Sequence, residues 1–142
     1  MKRLLTVALS AILFATLYSC FSYVPSYQQN PNTYYFGFFE LFVFVIIYSG
    51  PMYFLAGLPL SIYIDSLLKL IEKSWVRYFA GLVLYSYAGT MVGIIFLILF
   101  SENVYRLEVI TFSIFGFVAA NVYFHLSILI SIIDRKYSVF PK

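Results

Sequence analysis

Residues 78–100 read YFAGLVLYSYAGTMVGIIFLILF, 23 positions without one charge. As a helix rising 1.5 Å per residue this stretch is about 35 Å long, enough to cross a hydrocarbon core of roughly 30 Å. Its apolar residues run on continuously, without the period of two that a barrel strand requires. Three other stretches share this character. Residues 4–22 follow Lys2 and Arg3 and stay apolar, residues 36–58 are interrupted only by Glu40, and residues 109–133 contain no Asp, Glu, Lys or Arg. The expected fold is all-α: a polytopic membrane protein, one domain of four transmembrane helices.

Composition excludes the main alternatives. Of the 142 residues, 63% are hydrophobic, 22% aromatic and 11% charged, and the mean hydropathy is +0.92. A soluble domain carries about 25% charged residues to cover its surface. A water-soluble enzyme and a disordered chain are both excluded on that ground. A disulfide scaffold is excluded because Cys20 is the only cysteine.

Charge then orients the chain. Lys and Arg in short loops are retained on the cytoplasmic side. Lys2, Arg3, Lys69, Lys73, Arg77, Arg135, Lys136 and Lys142 all fall on one side of a four-span chain, against Arg106 alone, which sits between Glu102 and Glu108. Both termini are therefore expected in the cytoplasm. The basic clusters are expected to face anionic inner-leaflet lipids, where each gains about 1 kcal/mol. The net charge of +3 is thus topology and lipid contact, and no nucleic-acid partner is expected. Tyr34, Tyr35 and Tyr105 fall at the outer boundary, and Trp75, Tyr78 and Tyr137 at the inner one. Amphipathic rings favour both boundaries. The remaining tyrosines and phenylalanines read as mid-span apolar mass.

The first span has two readings. Leu17-Tyr18-Ser19-Cys20 after an apolar stretch resembles a bacterial lipoprotein signal, from which Tyr18 departs by its size. The plainer reading retains the span and leaves Cys20 an ordinary thiol near the outer interface. The loop that follows, SYVPSYQQNPNT (residues 22–33), is turn chemistry.

Span two contains Ser49-Gly50-Pro51. Pro51 cannot donate to the carbonyl of Ile47, so a kink is expected there. Beyond Pro59, Ser61, Asp65, Lys69, Lys73 and Arg77 recur every four residues, opposite Ile64, Leu67, Leu68, Ile71 and Trp75. This periodicity predicts an amphipathic cytoplasmic helix over residues 60–77 in the headgroup plane, with Asp65 facing Lys69. The alternative is that span two runs on to Ile64.

Residues 50–65, GPMYFLAGLPLSIYID, carry Gly57, Pro59, Ser61 and Asp65. In this pattern, and in length and span order, the chain resembles a family of small, uncharacterised four-span membrane proteins of Bacillus-type bacteria. The resemblance implies a bacterial inner membrane and brings no activity with it.

Ionisable groups in a span cost at least about 2.5 kcal/mol at its centre, so each needs a reason. Glu40 lies about 6 Å inside the outer boundary if span two starts near Phe36. Its expected partner is Arg106, and a proton- or cation-coupling role is the sharper alternative. His125 is the only histidine and Asn121 precedes it by four, so the two are expected to hydrogen-bond each other. A proton relay through His125 would need a second titratable group at the same depth, and Asp65, from the inner side, is the candidate. Gly89 and Gly93 on span three, and Gly116 and Ala120 on span four, form small-residue faces suited to close helix packing within the chain or between two copies.

No metal cluster, phosphate-cradling loop or nucleophile elbow occurs in the sequence. No cofactor, metal or catalytic activity is expected. The leading expectation is a non-catalytic accessory or interaction protein, partnered by the bilayer and by another membrane protein or itself. The alternative is a small transporter or channel acting as a dimer and using Glu40 or His125.

Overall fold

The computed structural model describes residues 2–101 and 105–138, with side chains described for 3–101 and 105–134. The side chains of Lys2, Glu102, Arg135, Lys136, Tyr137 and Lys142 therefore lie outside the described ones. Among the described residues all regular structure is helical. Helix α1 is Lys2–Ser22, α2 Phe38–Met52, α3 Leu58–Leu68, α4 Ser74–Phe100 and α5 Arg106–Ser138. A π-helical turn, Tyr53–Gly57, joins α2 to α3 without a break. Four helical rods are thus long and apolar enough to cross a membrane.

The second rod differs from expectation. It is one continuous run, Phe38–Leu68, about 46 Å long at the α-helical rise. Pro51 lies inside α2 and is followed directly by the π turn. Removing one N–H from the ladder leaves a carbonyl to be met another way, and a local change of helical pitch is a common response. The amphipathic helix expected over 60–77 is replaced by the end of this rod and a tight turn. Lys69 caps α3, Ile71 N–H bonds the Leu68 carbonyl at 3.2 Å, and α4 starts at Ser74. The Arg77 guanidinium folds back onto the Ile71 carbonyl through Nε at 2.9 Å. Ile64 and Leu68 are buried against the bundle instead of lying on a membrane surface. They have a protein partner in α4, where Leu68 packs over Gly81.

The closest helix pair is α4 with α5. The buried residues of α4, Gly81, Tyr85, Gly89, Gly93 and Leu97, recur every four positions. A Cβ on Gly89 would collide with the Gly116 carbonyl and the Ala120 methyl, and one on Gly93 with the Phe112 carbonyl. Phe112, Gly116, Ala120 and Phe124, again every four, form the opposing ridge, with Phe124 over Gly81. Ridges at this spacing interdigitate, and the small residues let the backbones touch where no hydrophobic force drives association. These faces are therefore used inside the chain.

Helix α1 is the most buried span. Thr6, Val7, Ser10, Ala11, Phe14, Ala15 and Ser19 form its buried stripe, small residues for the most part. It packs on α2 and on α5, while α2 makes no extended contact with α4 or α5. The rods thus follow the order α2, α1, α5, α4. This ring closes only where α3 reaches α4, at the end of the bundle that carries residues 2 and 138.

The glycine seam gives a direct test. Replacing Gly89 with Leu should cost about 1–3 kcal/mol or more by overpacking, read as a lower unfolding midpoint in detergent. Gly50→Ala, whose added Cβ meets nothing within 4 Å, should leave the midpoint near that of the wild type.

Candidate functional site

Two features stand out: a polar node joining all four rods, and an apolar groove above it. The node is built from the Ser61 and Asp65 positions of α3. Asp65 Oδ2 is paired with the Arg3 guanidinium of α1 at 3.2 Å. Its Oδ1 accepts a hydrogen bond from the Tyr85 hydroxyl of α4 at 2.9 Å. Ser61 is fully buried and donates to the Leu58 carbonyl at 2.8 Å, and Tyr123 of α5 lies beside it. Tyr85 and Tyr123 stack with ring centroids 5.8 Å apart. Asp65 and Arg3 each keep about 40% of the side chain accessible, so the node lies at the edge of the bundle's interior. A carboxylate so placed is held by one charge-assisted contact and one hydroxyl, the kind of pairing an ionisable group at membrane depth requires.

Asp65 therefore does not face Lys69 on a surface helix, and it does not serve His125. Position 65 turns inward because α3 continues the spanning rod, which rotates that face toward α1 and α4. Tyr85, Tyr123 and Tyr53 are expected as apolar mass, yet the Tyr85 hydroxyl bonds Asp65 and the Tyr53 hydroxyl donates to the Ala119 carbonyl of α5 at 2.7 Å. A signal was present: Tyr85 stands four before Gly89 and Tyr123 three after Ala120, both on the packing stripe. A phenol buried there must find an acceptor.

The other polar candidates have local duties. Glu40 is at the third position of α2 and accepts the Gly37 N–H at 2.8 Å, holding the first turn as an N-terminal cap. The Tyr34 hydroxyl donates to the same carboxylate at 3.3 Å, and that negative charge pushes the phenol above its ordinary range. Glu40 is exposed and is not paired with Arg106 among the described residues. A carboxylate at a helix N-terminus already meets free N–H groups and the positive end of the dipole.

His125 and Asn121 do not join side chain to side chain. Asn121 Nδ2 reaches across to Ser86 Oγ of α4 at 2.9 Å. His125 Nδ1 lies 2.8 Å from the Asn121 carbonyl, and its Nε2 lies 3.3 Å from the Tyr78 hydroxyl. A carbonyl only accepts, so Nδ1 carries the proton and Nε2 accepts from Tyr78. His125 is exposed on the outer face of the bundle, and a one-turn offset satisfies its ring within its own helix and α4.

The groove lies between α2 and α4, with a volume of about 700 Å³. Its floor is the glycine seam, Gly89, Gly93 and Gly116, and its walls include Leu41 and Val45 of α2 and Val92 and Phe96 of α4. Tyr85, Tyr123 and Ile64 close one end, directly over the node. Phe36 and Phe100 stand at the other. No Asp, Glu, Lys, Arg or His lines it. Among the described residues no group of three or more His, Cys, Asp and Glu could hold a metal ion.

Comparison with family models, with curated proteins and with solved structures gave no match.

The node predicts a measurable coupling. In a double-mutant cycle of Asp65→Asn and Tyr85→Phe, unfolding free energies in detergent should show an interaction of about 0.6–1.7 kcal/mol, the range for polar pairs between membrane helices. Glu40→Gln with His125→Ala, which share no partner, should be additive.

Proposed function

We propose that this chain is a non-catalytic accessory or interaction protein of a bacterial inner membrane, with both termini in the cytoplasm, and that its interaction surface is the groove between α2 and α4. The groove carries this reading. It is the place where the ring of rods stays open, and backbone and aromatic faces of all four rods line it together. The candidate polar residues support it from the other side. Asp65, Asn121, His125 and Glu40 each hold a helix end or a neighbouring helix, duties that are structural in character. The charge bias of eight against one supports the orientation.

Two experiments test the reading. A photoreactive residue at Val92 or Leu41, in the groove, should give adducts in native membranes that the same residue at Ile98, exposed on the other side of α4, does not. Equal capture from all three positions, or solute flux by the purified protein alone in liposomes, would overturn it. For the orientation, Asn30→Cys on a Cys20→Ser background should react with an impermeant thiol reagent in intact cells, and Glu72→Cys only after lysis.

A further inference from the structure

We infer that α3 is a hinged flap, pivoting at the π-helical segment Tyr53–Gly57 and latched against α1 and α4 by Asp65. The hinge shows in how the rod Phe38–Leu68 is seated. Before the π segment α2 lies on α1, and after it α3 lies on α4, with only marginal contact to α1. The two halves therefore have different neighbours. Pro51 takes one N–H from the ladder just ahead of the π segment, and prolines and π bulges are where long helices bend. The pivot itself is fixed. Tyr53, buried at the first position of the π segment, donates its hydroxyl to the Ala119 carbonyl of α5 at 2.7 Å. A rotation beyond that anchor displaces α3 and leaves α2 in place.

The latch is small. Helix α3 buries only about one residue per turn, Ser61, Ile64 and Leu68. The Ser61 hydroxyl is used within the helix, on the Leu58 carbonyl at 2.8 Å. The short polar contacts from α3 to its neighbours are those of Asp65, to Arg3 at 3.2 Å and from the Tyr85 hydroxyl at 2.9 Å. A polar bond between membrane helices shifts an equilibrium by about threefold on average and by roughly twentyfold at most. Two such bonds hold α3 shut without making the closed state permanent. Arg3 and Asp65 both remain partly accessible, so parting them does not strand a charge in hydrocarbon. Ile64 rides on this flap and closes one end of the groove together with Tyr85 and Tyr123. Release of the latch therefore opens the groove toward the end of the bundle that carries residues 2 and 138.

Distances between nitroxide pairs on the full chain in lipid nanodiscs, measured by double electron–electron resonance on a Cys20→Ser background, test this. One pair, Tyr63→Cys with Leu129→Cys, joins the flap to α5. The other, Val43→Cys with Leu129→Cys, joins α2 to α5, and all three positions are exposed. Asp65→Ala, which removes both bonds, should raise the longer-distance population of the flap pair by about tenfold or more, and Tyr85→Phe, which removes one, by about threefold. The α2 pair should keep its distribution in both variants. Tyr85→Phe keeps the ring and its packing, so it reads the latch even where Asp65→Ala fails to fold. An unchanged flap pair would overturn the latch. A change shared by both pairs in Tyr85→Phe would overturn the hinge, because the rod would then move as one piece.

Discussion

The bundle depends on the contact of bare backbone between α4 and α5. Gly89, Gly93 and Gly116 meet with no side chain between them. In lipid the surrounding tails are as apolar as any side chain, so helices associate through close dispersion contact and polar bonds rather than hydrophobic exclusion. This seam supplies that contact over the middle of both helices. It also forms the floor of the groove, because a face without side chains leaves space above it. The backbone contact between α4 and α5 and the groove therefore share the same three glycines.

The remaining elements follow from where this pair leaves its neighbours. Helix α1 lies against α5 through its own stripe of small residues and carries α2 on its other side. The rod of α2 and α3 starts beside α1 and ends beside α4, with the π turn after Pro51 between. Where it arrives at α4, Asp65 meets Arg3 and Tyr85. One carboxylate thus ties three rods at the closed end of the ring. At the opposite end the described residues make no equivalent tie between α2 and α4, and the groove opens there.

Much of this was legible before any coordinates. The four spans, the α4–α5 seam and the polar residues worth attention stand in the sequence as uncharged length, four-residue spacing of glycines and isolated charge. The partners of those polar residues were less legible. The sequence pairs Asp65 with Lys69 and Glu40 with Arg106, because it offers only local and same-side neighbours. The real partners, Arg3 and Tyr85 for one and the Gly37 N–H for the other, depend on helix rotation and on exact helix ends. The amphipathic pattern over 60–77 misled for a related reason: a spanning helix that leaves the membrane also becomes charged on one side.

By itself the sequence determined the solvent, the number of spans and which helix faces can approach closely. Each of these is a property of local composition and of a period that every helix shares. Tertiary structure alone decided which tyrosines are polar contacts, which charge neutralises Asp65, and that the ring of rods closes at one end only. Those outcomes depend on how four rods lean and rotate against each other, and residues 60 or more positions apart, such as Arg3 and Asp65, meet only once that is settled.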